Sequence, residues 1–213
     1  MNLTSLTFSS GTPRLLNAFY GNALGMTTLA SDKVCEVQVC HTTLRFTEGT
    51  DRHHFAFNIT PTKIEQALTW LTERSVELID GRVHHFESWN AHALYFWDPA
   101  GNVVEFIARN DLPIPDDKNP FTPADILSVS EIGLNAPDPA ALAATLMAQT
   151  GTTYYRPPSP DFHPVGDEQG LLIIVPTGRL WFPETGVPAL GTPLQVKVDS
   201  PAGSWTLSRD DLT

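Results

Sequence analysis

Short apolar strands and proline-initiated helices alternate along the chain, and the order strand, helix, strands recurs three times. In the first unit, residues 5–9 alternate as a strand does, and Thr12 and Pro13 suit the N-cap and first position of a helix. Apolar residues then follow helical spacing as far as Gly25, a residue typical of helix ends. Further strands are predicted at residues 26–30, 33–40 and 42–47.

The second and third units repeat this order. The second begins with a strand at residues 54–59 and a helix that starts at Thr60-Pro61 and ends near Arg74. Its later strands are predicted at residues 76–80, 92–97 and 103–108. The third begins with a strand at residues 131–135 and a helix that starts at Asp138-Pro139 and ends near Thr150-Gly151. Later strands are predicted at residues 171–175 and 179–182, with the start of a fourth unit at 194–198 and 205–207.

This recurrence predicts an α+β fold of tandem βαβββ modules. Each module has a small sheet with one face covered by its helix, so two modules side by side form a cupped mixed sheet with helices on the outer face. We expect residues 1–109 to be a paired domain built from units one and two. The proline-rich segment 110–126 reads as a linker, and residues 127–213 hold the third module and the incomplete fourth.

Composition and charge narrow the class of protein. Hydrophobic residues make up 41% of the chain and charged residues 17%, which is typical of a globular protein. The net charge is -11 and the basic residues are scattered, so neither a nucleic acid nor an anionic membrane is an expected partner. No apolar run approaches the roughly 18 residues of a membrane span, and the first ten residues do not resemble a signal peptide. We therefore expect a cytoplasmic protein, in which Cys35 and Cys40 form no disulfide.

Three segments resemble one known family. Residues 95–107 read YFWDPAGNVVEFI, residues 54–58 read HFAFN, and residues 16–25 read LNAFYGNALG. These resemble the last hairpin, the first strand and the first helix of the vicinal oxygen chelate superfamily, which includes glyoxalases, bleomycin-resistance proteins and extradiol dioxygenases. Within it the chain is most similar to a glyoxalase-like subgroup. The resemblance covers residues 5–108 well and residues 128–183 more weakly.

The resemblance implies a divalent metal ion held by His54 and Glu105. Such an ion (Fe, Mn, Zn or Ni) binds two oxygens of a small substrate in this superfamily. Strand alternation places His54 with Ala56 on one sheet face, and Glu105 with Ile107 on one face. A Glu in so apolar a strand requires a partner or a metal ion. The alternative is a metal-free Glu that is hydrogen-bonded to a buried His.

The first unit departs from the family pattern, because Ser5 or Thr7 stands at its ligand-His position and Arg45 near its ligand-Glu position. A third ligand must therefore come from elsewhere. His92 is the first candidate, although strict alternation would turn it toward the helix, so it needs a bulge to reach the cup. His41, near the end of a first-unit strand, is the second candidate. His53, His84 and His85 are expected to be structural or exposed.

Two further residues are candidates for chemistry. Tyr95 stands where similar thiol transferases place a substrate-contacting Tyr, and its phenol could donate to a bound oxyanion; core packing is the alternative. Glu131 stands in the third unit at the position that His54 has in the second. It is expected to be either a ligand or base of a second half-site or a solvent-facing edge residue. Arg45 is expected either to neutralise Glu105 or to lie on the surface. Glu105 and Tyr95 are the expected catalytic residues.

Three functions remain open at this point. The first is a metal-dependent lyase, isomerase or ring-cleaving dioxygenase that acts on a small vicinal-oxygen substrate. The second is a metal-free small-molecule binding protein of the bleomycin-resistance type, and the third is a structural or regulatory protein that docks a second copy. A homodimer is expected in any case, because an incomplete fourth unit leaves an open sheet edge.

Overall fold

A computed structural model describes residues 1–114 and 118–212, and it contains two mixed β-sheets. The first sheet contains β1 (Asn2–Gly11), β2 (Thr27–Ala30), β3 (Val34–Val39), β4 (Thr42–Thr47), β5 (Gly49–Thr50), β13 (Gln195–Ser200) and β14 (Gly203–Ser208). The second contains β6 (His54–Ile59), β7 (His84–Phe86), β8 (Ala91–Trp97), β9 (Val103–Arg109), β10 (Ile126–Ala136), β11 (His163–Asp167) and β12 (Gly170–Pro176). These sheets and three helices confirm the α+β class and the glyoxalase-like βαβββ modules.

The helices follow the predicted start and stop signals. Helix α1 (Pro13–Asn17) continues as a π-helix (Ala18–Ala23), and helix α2 (Ile64–Glu73) follows a 3-10 turn that starts at Pro61. Helix α3 (Pro139–Thr150) is capped at its start by the Asp138 carboxylate, which accepts a hydrogen bond of 3.0 Å from the backbone N–H of Ala141.

The pairing of the units differs from the sequence prediction. Strand β6 pairs with β9 on one side and with β10 on the other, so unit two shares its sheet with unit three. Unit one pairs instead with the terminal hairpin, through β1 and β13. All six residues of β6 are buried, as in a central strand covered on both faces, but this pattern does not specify which unit pairs with its second edge. Unit one therefore does not share a sheet with unit two, and the domain boundaries themselves stay a prediction.

Other local predictions are corrected. Residues 76–80 make one isolated bridge, Leu78 to Phe96, and the strand that extends the sheet there is β7. Residues 179–182, which the structure describes, lie in a loop after β12 and form no strand. The predicted linker 110–126 ends on β10, and its residues 115–117 lie outside the described residues.

The core and the site lie on opposite faces of the second sheet. One face packs against the first sheet, as in the stacked rings of Phe8 and Phe55, whose centroids are 5.4 Å apart. The other face, which we call the cup, carries Ala56, Tyr95 and Ile107 among its buried residues. Within the described residues, no helix has both the length and the apolar character needed to cross a membrane.

Candidate metal site in the cup

Three buried side chains meet in the cup. His54 begins β6, Glu105 lies in β9 and Glu131 in β10, and one ligand atom from each lies within 4.8 Å of the others. Ala56 explains this meeting, because it pairs with Glu105 on one neighbouring strand and with Glu131 on the other. The small Ala56 side chain leaves the space above β6 to the two carboxylates and to His54.

The His54 ring is held in a ligand-ready orientation. Its Nδ1 lies 3.1 Å from the carbonyl oxygen of Val103, and its Nε2 lies 3.5 Å from Oε2 of Glu105. A carbonyl only accepts, so Nδ1 carries the proton and Nε2 presents its lone pair to the carboxylates. Burial lowers the pKa of His54 to about 4, which keeps the imidazole neutral near pH 7.

Burial and mutual repulsion act on the two carboxyl groups. Burial, and then the charge of Glu131, raise the pKa of Glu105 well above its usual value, while Arg109 and a hydrogen bond from Tyr95 oppose this rise. Burial also raises the pKa of Glu131, and Arg109 opposes that rise. Two carboxylates that are both buried and lie within 4.8 Å of each other are stabilised by a proton or a cation between them.

Arg109 supplies one fixed positive charge beside the site. Its side chain is fully buried, its Nη2 forms an ion pair with Glu131, and its Nε donates to Oδ1 of Asn58 at 3.1 Å. The guanidinium carbon lies 5.4 Å from the ring centroid of Trp89 and 5.6 Å from that of Tyr155. The ion pair with Arg109 therefore holds the Glu131 carboxylate in the cup, within 4.8 Å of the Glu105 carboxylate.

A cavity of about 100 Å³ opens onto the three residues. Its walls are mainly apolar and aromatic, and the lining is completed by Phe86, Trp89, Tyr95, Ile107, Phe162, Ile173 and Trp181. A cavity with an apolar wall and a few convergent polar groups is typical of a small-molecule site.

The donor set fits a divalent metal ion. One neutral imidazole nitrogen and two carboxylate oxygens suit iron, manganese, zinc and nickel, and three protein ligands leave positions free for a substrate. His54, Glu105 and Glu131 would hold the ion.

The structure brings together most, but not all, of the predicted site residues. His54 and Glu105 meet, and Tyr95 pairs with Glu105 across the β8–β9 ladder. His92 is corrected as a ligand: it pairs with Ala108 and stacks on His85 at 4.6 Å. The strand has no bulge there, so alternation turns His92 away from the cup.

The other histidines also lie outside the three-residue cluster. His53 is buried against Phe8, with ring centroids 4.7 Å apart, and His84 hydrogen-bonds to Asp80 at 2.8 Å. His41 is exposed in the turn before β4.

The site contains two residues beyond the predicted set of ligands, Glu131 and Arg109 of the second unit. Glu131 is a buried cup residue and not a solvent-facing edge residue, and its alignment with His54 in the repeat was the available signal. Arg45 pairs with Glu36 on the exposed face of the first sheet, so it does not neutralise Glu105.

Comparison with known proteins identifies the fold. No family model and no curated protein matches the chain. A solved structure of a putative dioxygenase from Bacillus subtilis superposes with a TM-score of 0.63 over 92% of this chain and 69% of its own, at 15% identity. A glyoxalase I mutant from Zea mays superposes with a TM-score of 0.58 over 90% of this chain and 72% of its own, at 14% identity. The chain has the vicinal oxygen chelate fold.

In the vicinal oxygen chelate fold of this chain, the site occupies the second and third units. His54 and Glu105 stand on the first and last strands of unit two, the positions that the family resemblance assigns to ligands, and Glu131 stands on the first strand of unit three. At 14–15% identity these neighbours show the fold alone, so the activity rests on the residues.

Proposed function

We propose that this protein is a divalent-metal-dependent enzyme, a lyase, isomerase or ring-cleaving dioxygenase, which acts on a small substrate with two adjacent oxygens. The observation that carries the proposal is the convergence of the His54, Glu105 and Glu131 ligand atoms within 4.8 Å inside a cavity. A bound divalent ion would supply Lewis acidity, which stabilises negative charge that develops on substrate oxygens.

The chain's own residues prepare this chemistry. The Val103 carbonyl keeps the proton of His54 on Nδ1, so Nε2 is free to bind. Tyr95 has its pKa raised by burial and by Glu105, so its phenol keeps the proton. A substrate oxyanion that replaces Glu105 as the acceptor would receive this hydrogen bond. The apolar walls exclude water, which strengthens each of these electrostatic contacts.

A metal-free small-molecule binding protein is the second candidate. One observation favours it: Arg109 already partners Glu131, and Tyr95 already donates to Glu105, so both carboxyl groups are satisfied by protein groups alone. In that case the cup would sequester a ligand without transforming it.

Metal analysis of protein purified without chelators separates the two functions. An enzyme of the proposed type is expected to carry iron, manganese, zinc or nickel in near-stoichiometric amount, and His54→Ala and Glu105→Ala are expected to lose it. His92→Ala is the matched control, because His92 lies on the other face of the same sheet, and it is expected to keep the metal. A wild-type protein that copurifies with no metal and takes up none on addition would contradict the enzyme and favour the binder.

We also propose a cytoplasmic homodimer. The first sheet ends on β14 and β2 and the second on β11 and β7, and such edge strands offer backbone groups to a second copy. Light scattering is expected to give twice the mass of the chain, and a strictly monomeric protein would contradict the dimer.

A further inference from the structure

The loop between β12 and β13 folds back over the cup. Within it, the backbone N–H of Trp181 donates to the carbonyl of Val187 at 3.0 Å, and that of Ala189 donates to the carbonyl of Arg179 at 2.8 Å. Thr185 Oγ1 also donates to the carbonyl of Trp181 at 2.8 Å. These bonds tie residues 179–189, which we call the Trp181 loop, into a closed turn that presents one indole to the cavity.

Trp181 packs against His54, one of the three proposed metal ligands. Its side chain is buried, and its ring lies 5.0 Å from the His54 ring, centroid to centroid. The Trp181 indole packs on Gly133, two residues after Glu131 on β10. A Cβ atom at position 133 would lie 2.6 Å from Cη2 and 2.8 Å from Cζ2 of Trp181, closer than real atoms approach, so this depth of insertion needs a glycine there.

A second aromatic residue of the same loop, Phe182, lies at the rim of the cup. Phe182 lies 5.4 Å from Tyr95, 4.9 Å from His84 and 5.7 Å from Phe86, measured between ring centroids. Phe182 is itself 44% exposed, so it stands at the rim while Trp181 occupies the interior. The loop thus contributes Trp181 to the interior of the cup and Phe182 to its rim.

We infer that Trp181 sets the upper size limit of the substrate, which makes it a specificity-determining residue. This inference rests on the proposed function for the identity of the chelating group. With the indole in place the cavity is about 100 Å³, smaller than the roughly 150 Å³ apolar cavity that is known to hold one benzene ring. The substrate class is therefore a compact compound with two adjacent oxygens and a small apolar body. Substrate bodies that extend past the indole are excluded while it stays packed on Gly133.

Two hydroxamates of different size test this limit. Acetohydroxamate and benzohydroxamate carry the same bidentate oxygen group and differ in the body attached to it. Their dissociation constants would be measured by calorimetry on metal-loaded protein. Wild type is expected to bind acetohydroxamate and to reject benzohydroxamate. Trp181→Ala is expected to bind benzohydroxamate at least about tenfold more tightly than wild type does, with little change for acetohydroxamate. Trp181→Phe is expected to shift benzohydroxamate in the same direction by less, and it keeps an aromatic ring should the alanine variant fail to fold.

Equal binding of benzohydroxamate to wild type and to both variants would overturn the inference. A metal-free arm separates this result from failure of the proposed function. Benzene needs no metal, and an apolar cavity vacated by a large side chain binds it. Metal-free Trp181→Ala is expected to gain thermal stability on addition of benzene, whereas metal-free wild type is not. If the protein binds benzene but takes up no metal, the proposed function is wrong and the size limit is supported. If benzene has no effect on Trp181→Ala, the size limit itself is wrong.

Discussion

Arg109 forms a fully buried ion pair with Glu131, one of the three proposed ligands. The pair explains how two carboxyl groups remain side by side in an apolar cup, because one of them has a permanent counter-charge. Nη1 of Arg109 has no hydrogen-bond partner among the described residues, so the guanidinium is committed mainly to Glu131 and Asn58.

Removal of Arg109 alone is expected to be costly. Arg109→Met leaves Glu131 buried beside Glu105 without its cation, and breaking a buried pair from one side costs about 3–5 kcal/mol of the free energy of unfolding. Urea unfolding measures this loss. The double variant Arg109→Met, Glu131→Gln removes both charges and is expected to recover most of it. A single variant that loses less than about 1 kcal/mol would contradict the role of the pair.

The buried histidines make the protein sensitive to acid. Burial lowers the pKa of His53 to about 4, with Asp51 opposing this effect and Arg209 adding to it. An unfolded histidine has a pKa of about 6.5, so the unfolded chain binds a proton first as the pH falls. The stabilisation is fully present above pH 6.5 and is lost progressively between about pH 6.5 and pH 4. As the pH falls from 7 to 5, the shifted pKa of His53 is expected to lower the free energy of unfolding by about 2 kcal/mol.

His53→Leu tests this acid effect, since the side chain packs against Phe8 and both ring nitrogens lack partners among the described residues. The variant is expected to fold, and its free energy of unfolding is expected to fall less between pH 7 and pH 5 than that of wild type. An identical pH dependence in His53→Leu and wild type would refute the prediction.

Gly133 is expected to tolerate no side chain while Trp181 is present. Gly133→Ala places a methyl group against the indole, and such overpacking costs about 1–3 kcal/mol of stability. Thermal unfolding measures the loss. Trp181→Ala in the same chain removes the opposing ring, so the double variant is expected to lose less stability than the sum of the two single variants. Additive losses would show that the two residues do not meet.

Tyr95 is expected to act on the bound ligand and not on the metal. Tyr95→Phe removes the donor that faces Glu105 but none of the three ligand atoms, so its metal content is expected to equal that of wild type. Acetohydroxamate, which presents an oxyanion, is expected to bind about tenfold more weakly, the cost of one lost charged hydrogen bond. Calorimetry and metal analysis on the same sample check both parts. Loss of metal together with ligand affinity would show instead that Tyr95 only supports the site.

Local signals predicted the elements of the fold well. Helix α3 begins after the Asp138 cap and ends at Gly151, as expected. Strand alternation around His54 and Glu105 also predicted correctly that both side chains face the cup. These features depend on a few neighbouring residues, and the sequence displays them directly.

Long-range pairing could not be predicted in the same way. The apolar strands of units one, two and three are all compatible with either neighbour, because periodicity shows which face is buried and not which edge is paired. Placing unit two beside unit one removed Glu131 from the expected site. The sequence prediction therefore lacks a third ligand in the cup and puts His92 there, whereas the structure puts Glu131 there. Arg109 gave no signal because its partner, Glu131, is 22 residues away on another strand.

The central claim is that His54, Glu105 and Glu131 together bind one divalent ion. Titration of chelator-treated protein with Mn²⁺ in a calorimeter tests it most directly. The account predicts about one equivalent bound by wild type and by His92→Ala, and at least about tenfold weaker binding by Glu131→Gln. Equal Mn²⁺ affinity in wild type and Glu131→Gln, or no binding by wild type at all, would contradict it.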